Sequence, residues 1–95
     1  MNPAYVIGHI TVKDALLWER YRSQVAATLV PFSGELVFRA TKAASFAGAN
    51  AHANVVVIRF PSLANANNWH ASAAYQALIP LRLQAADVVL TAYET

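Results

Sequence analysis

The feature that most constrains this chain is a set of strand-like segments that are apolar on both faces. In Tyr5-Val-Ile-Gly-His-Ile-Thr-Val12 and Asn54-Val-Val-Val-Ile-Arg-Phe60, both parities are largely aliphatic or aromatic and charge is confined to a few sites. A sheet with one face in water alternates apolar and polar residues, whereas strands like these are covered on both sides. Along the chain the order reads strand, helix, strand, strand, helix, strand, and two helices cover only one face of a four-stranded sheet. The second face is therefore expected to be buried by another copy of the chain. Composition agrees: 57% of the 95 residues are hydrophobic and 13% charged, against roughly 25% charged in an ordinary soluble domain.

The segment Ala4 to Val12 reads as a strand, and Asp14 after it as a helix N-cap. Trp18, Tyr21, Val25, Leu29 and Phe32 then recur at spacings of three and four, one apolar stripe that would lie on the sheet. Pro31 and Gly34 end the helix. Glu35 to Phe46 and Asn54 to Phe60 are predicted strands, and the small residues from Ala47 to Ala53 a hairpin loop. Pro61 closes the third strand and Ser62 caps a second helix carrying Leu63, Ala66, Trp69 and His70 at helical spacing. Ser72 opens a short helix through Tyr75 and Leu78, which Pro80 interrupts or restarts near Leu81 to Ala86. Asp87 to Tyr93 is the fourth strand. The whole chain, 1–95, is one α+β domain, a ferredoxin-like βαββαβ unit with a four-stranded antiparallel sheet and both helices on one face.

Several functions are excluded. The formal net charge is +2 with scattered cations, so no polybasic surface for nucleic acid or membrane is expected. The third strand also lacks the basic-glycine-aromatic core of RNA-recognition domains that share this topology. Absence of cysteine removes disulfides, thiolate metal sites and a thiol nucleophile. Three histidines without paired spacing give no metal site, and no cofactor motif is apparent: Gly8, Gly34 and Gly48 form no phosphate cradle. The first twelve residues do not read as a signal peptide and no segment as a membrane span, so a cytoplasmic protein is expected.

Three stretches carry a resemblance: Tyr5-Val-Ile-Gly-His-Ile-Thr-Val-Lys-Asp14 with Trp18 and Tyr21; Gly34-Glu-Leu-Val-Phe-Arg39; and Val56-Val-Ile-Arg-Phe-Pro-Ser62 running into Ser72-Ala-Ala-Tyr-Gln76 and Ala85-Ala-Asp-Val-Val89. Together they resemble the domain-of-unknown-function 1330 family, placed in the dimeric α+β barrel superfamily. The resemblance implies a ferredoxin-like protomer whose sheet pairs with a partner's in a dimeric α+β barrel, and implies no established activity. The chain departs from the family pattern where Ala74 precedes Tyr75 and Ala47 precedes Gly48, positions where the family commonly carries a carboxylate.

Strict alternation puts Val6, Gly8, Ile10, Val12, Leu36, Phe38, Val56, Ile58, Phe60, Val88 and Leu90 on the helix-facing side. The opposite parity holds Tyr5, His9, Thr11, Glu35, Arg39, Arg59, Thr91 and Tyr93. Cations in a dehydrated interface must be paired or must hold an anion. One reading is an ion-pair network between protomers, with Glu35, Asp87 or Glu94 as partners. The other is a pocket for a small carboxylate or enolate, with Arg39 and Arg59 binding the anion and His9 as the catalytic proton shuttle. A strand bulge would change the parity and break this constellation. Trp18, Tyr21, Trp69, His70 and Tyr75 form a second group that either lines a cleft between helices and sheet, with Trp69, His70 and Tyr75 as ligand-binding candidates, or packs in the core or interface, as aromatics commonly do. The expected protein is thus a homodimer that binds a small anionic molecule, extending to a cofactor-free enzyme acting on a small organic acid; the alternative is a non-catalytic structural or regulatory dimer.

Overall fold

A computed structural model describes residues 2–95. Strand β1 (Ala4–Val12) turns at Asp14, whose carboxylate accepts from the amides of Leu16 and Leu17, both at 3.1 Å. Two of the four amides that a helix start leaves unpaired are thereby satisfied. Helix α1 (Ala15–Leu29) follows and buries Tyr21, Val25, Thr28 and Leu29. Trp18 and Phe32, expected on the same stripe, are only half-buried and pack at the margin of the core. A 3₁₀ turn over Val30–Phe32 takes in Pro31, and Ser33 in the left-handed region (φ 57°) closes it. The chain then runs through β2 (Glu35–Thr41), β3 (Asn54–Phe60), α2 (Leu63–Ala71), α3 (Ala73–Gln76), α4 (Ile79–Ala85) and β4 (Ala86–Glu94).

One element differs from the sequence reading. β2 stops at Thr41, opposite Asn54, and residues 42–53 form the hairpin loop, because the stretch after Thr41 is small and polar and offers little side chain to pack. As expected, the helix opened at Ser72 ends early, at Gln76, and a new one restarts with Pro80 in the first turn of α4, where a proline costs no hydrogen bond. The asparagines of α2 also find uses. Asn65 donates its amide to Ser62 Oγ at 3.2 Å and its side-chain Nδ2 to the Phe32 carbonyl at 3.0 Å, tying the helix start to the 3₁₀ turn.

All strand pairs are antiparallel and the order is β2-β3-β1-β4, the ferredoxin-like arrangement. The barrel expectation is corrected here. β2 and β4 each have one neighbour and do not pair with each other, so the sheet is open, with two free edges and no closure.

Within the β2–β3 ladder the register slips by one residue. Glu35 faces Arg59 and Leu36 faces Ile58, but the next pair is Phe38 with Val57, leaving Val37 unpaired. This bulge reverses the parity of the rest of β2. Phe38, expected in the core, joins Val57 on the open face. Arg39, expected beside His9 on the open face, instead opposes Val56 on the helix-facing side.

The core is centred on Phe60, Trp69 and Tyr75, the largest fully buried side chains. The Trp69 ring lies 4.3 Å from that of Tyr75 and 5.5 Å from that of Phe60, and its Nε1 donates to Thr28 Oγ1 at 3.0 Å. Truncation to Trp69→Ala should therefore cost about 3–5 kcal/mol, read as a lowered urea midpoint at unchanged slope. A loss below about 1 kcal/mol would contradict this placement of α2.

Candidate functional site

The parity change caused by Val37 puts Arg39 on the helix-facing side of β2, toward α1. Opposite it, Trp18 and Arg22 project from α1 one turn apart. A cleft of about 300 Å³ opens between the two, walled by Ile10, Val12, Trp18, Arg22, Arg39 and Val56. It shares Ile10, Trp18, Arg22, Arg39 and Val56 with a smaller inner pocket of about 30 Å³ that Tyr21 and Trp69 also line. The cleft is open to solvent because all seven residues of β2 are exposed.

Two guanidinium groups meet in this cleft. Arg22 is engaged by Glu19, three residues earlier on α1. Arg39 belongs to neither of the ion pairs found among the described residues, which are Arg22–Glu19 and Lys13–Asp87. Partial burial, and next the charge of Arg22, push the Arg39 pKa down; an arginine nevertheless stays protonated throughout the accessible pH range. The result is a permanent charge against apolar walls with an unused, fork-shaped set of donors, suited to a carboxylate.

Behind the cleft lies a buried phenol pair. Tyr21 and Tyr75 share a 2.9 Å hydrogen bond, and Arg82 Nη1 donates to the Tyr75 hydroxyl at 2.8 Å. Burial first, then Tyr75, pushes the Tyr21 pKa far above its ordinary value. Tyr21 is thus a neutral group at the inner end of the cleft.

The structure separates the residues singled out in the sequence. His9 lies on the open face, between Val55 and Val89, with the whole sheet between it and Arg39. Arg59 is exposed on that same face, between Glu35 and Tyr5 in the ladder. Trp69 and Tyr75 are core residues, 2% and 0% exposed, with Trp69 reaching the inner pocket. His70 is exposed at the end of α2, its ring 5.6 Å from that of Tyr75, and borders a shallow groove with Val6, Trp69 and Leu90. Three participants escaped the sequence reading. In sequence Arg22 reads only as the solvated partner of Glu19 one turn earlier, and Thr28 and Arg82 carry no signal, because their partners Trp69 and Tyr75 lie in other helices.

Residues 3–95 match the family described as Domain of unknown function (DUF1330). The chain belongs to that family. No curated protein matches it in sequence. In structure, this DUF1330 chain is similar to a protein of unknown function from Rhodopseudomonas palustris, with TM-score 0.82 and 14% identity over 99% of this chain and 82% of the other. It is also similar to SnoaB, a cofactor-independent oxygenase from Streptomyces nogalater, with TM-score 0.67 and 12% identity over 97% and 90% of the two chains. A third, a dimeric ferredoxin-like protein of unknown function from Thermobifida fusca, has TM-score 0.64 and 13% identity over 99% and 92%. At these identities the shared property is the fold. Among the described residues no helix is long and apolar enough to cross a membrane, and no group of three or more His, Cys, Asp or Glu residues is placed to hold a metal ion.

The raised Tyr21 pKa has a signed consequence. An unfolded phenol ionises near its ordinary value of 10.0, while the folded Tyr21 does not. Its contribution is therefore complete below pH 10 and is lost as pH rises above that value, since the unfolded chain releases its proton first. Tyr21→Phe should show a shallower loss of unfolding free energy between pH 10 and about 11 than the parent in urea melts. Equal alkaline slopes would contradict the buried, neutral Tyr21.

Proposed function

We propose that this DUF1330 protein binds a small organic acid in the cleft between α1 and β2, with the Arg39 guanidinium holding the carboxylate and Trp18 and Val56 holding the apolar body. One observation carries the reading: Arg39 is a partly desolvated cation with no carboxylate partner among the described residues, set in a cleft of about 300 Å³. A partly desolvated charge of this kind is stabilised when its free donors are used. Arg22 is the nearest second cation and Tyr21 the nearest neutral hydroxyl. The fold similarity to SnoaB supports extending the reading to cofactor-free chemistry on the bound acid. Within the protomer the alternative of an ion-pair network finds few partners for Arg39: Glu35 lies on the other face of the sheet, Asp87 is paired with Lys13, and Glu19, whose charge reaches Arg39, is engaged by Arg22. Arg59, His70 and Tyr75 stand outside this cleft and are given no contact with the ligand.

The protein is further proposed to be a cytoplasmic homodimer, with the apolar end of the open sheet face, away from the hairpin, covered by the second copy. Tyr5, Ile7, Phe38, Val57 and Tyr93 lie together on that face. The accessible surface is 5788 Å², against about 5,400 Å² for a compact monomer of this mass. Similarity to a protein described as dimeric supports the assembly.

Isothermal titration of benzoate, with benzyl alcohol as the uncharged control, tests the binding site. Benzoate should bind saturably and Arg39→Gln should weaken it by about ten- to a hundredfold, the range for a hydrogen bond to a charged group. Unchanged binding in Arg39→Gln would overturn the assignment. Light scattering tests the assembly: the expected mass is twice 10.3 kDa, and Val57→Glu should halve it. A folded parent of 10.3 kDa at micromolar concentration would eliminate the dimer.

A further inference from the structure

The open sheet face is apolar toward Tyr5 and Ile7 but becomes polar toward its hairpin end. There, His9 of β1, Lys42 and Asn50 of the hairpin and His52 line a groove of about 200 Å³. Sequence separates these residues by up to 43 positions, and His52 reads there as an ordinary loop residue. The fold brings them together because the loop after Thr41 doubles back, with the Lys42 amide donating to the Ala53 carbonyl at 2.7 Å.

The groove is furnished with donors and lined by no carboxylate. Thr11 Oγ1 and His52 Nδ1 are hydrogen-bonded at 2.9 Å. When the hydroxyl donates, the ring proton resides on Nε2, which leaves that nitrogen a donor for a ligand. Lys42 Nζ donates to the Asn50 carbonyl at 2.7 Å, which fixes it across the loop and leaves two of its three protons unused. Neither ring nitrogen of His9 has a partner among the described hydrogen bonds. The nearest carboxylate in the ladder, Asp87 opposite Thr11, is occupied by Lys13 at 3.5 Å.

We infer that this groove is a binding site for a phosphate group, free or at the end of a monoester, held by His9, Lys42 and His52. A planar carboxylate is matched by the fork of one guanidinium, as in the cleft on the other face. Point-like donors arriving from three separate places in the chain instead suit a tetrahedral oxyanion, with an oxygen for each. The groove meets the Arg39 cleft at Thr41, Asn54 and Val55, but its own cationic groups, His9, Lys42 and His52, do not line that cleft, and neither Arg22 nor Arg39 lines the groove.

Inorganic phosphate titrated into the full-length protein, followed by NMR of the three histidine rings, tests the assignment. The His9 and His52 resonances should move saturably, while those of His70, on the helix side, stay fixed. Lys42→Ala should weaken binding by about tenfold or more, the order expected for a charge-assisted hydrogen bond. Arg39→Gln should leave it unchanged. Tighter binding of phenyl phosphate than of phosphate would identify a monoester as the ligand, and equal binding the free ion. The proposal is overturned if no ring responds, if all three respond alike, or if Arg39→Gln rather than Lys42→Ala weakens phosphate, which would place the anion in the other cleft. Failure of benzoate to bind would leave this site standing, so the two readings fail separately.

Discussion

One unpaired residue in β2 decides what the sheet offers on each side. Side chains alternate along a strand, so the extra residue at Val37 transfers every later position of β2 to the opposite face. Without it, Phe38 would lie beneath α1 and Arg39 would stand with His9. With it, Phe38 extends the apolar surface that Ile7 and Val57 form, and Arg39 becomes the cation of the helix-side cleft. The bulge sits on an edge strand, where bulges are common and disturb only one ladder. Its consequence is chemical: the chain separates a guanidinium site on one face from a histidine and lysine groove on the other.

The second half of the helix layer is built from short pieces that could not hold their positions alone, since helices of four to nine residues are marginal in water. They are tied by polar atoms inside the core. Trp69 Nε1 reaches Thr28 Oγ1 on α1, and Tyr75 joins Tyr21 of α1 to Arg82 of α4. No buried side-chain nitrogen or oxygen among the described residues is left without a partner, the condition under which a buried polar network strengthens a core instead of weakening it. The same network holds Tyr21 and Trp69 at the inner wall of the cleft.

The open sheet and its uncovered face follow from the helix layer's limited reach. α2 packs on β1, β3 and β4, while β2 is exposed along its whole length. Large apolar side chains at Leu36, Val37 and Phe38 are each about half exposed. Such a concentration on one strand is unusual for an isolated soluble domain, and it marks the side of the protomer where contact with another surface would remove most apolar area from water.

The element order, the caps at Asp14 and Ser62, the buried stripe from Tyr21 to Leu29 and the ferredoxin-like sheet were all legible in the sequence. They depend on local propensity and on periodicity, which the chain states residue by residue. Sheet closure was not legible, because whether the edge strands meet depends on the twist and width of the assembled sheet and not on any one strand's pattern. The company that each functional side chain keeps was equally hidden. His9 and Arg39 share a parity only if β2 runs without interruption, and Val37 bears no mark of a bulge. His52 approaches Thr11 across 41 residues, and Tyr75 finds Tyr21 across 54. The sequence by itself determined which segments fold and which stripes they bury; only the tertiary structure decided which cations face a cleft and which face a groove, because that choice rests on the register between distant strands.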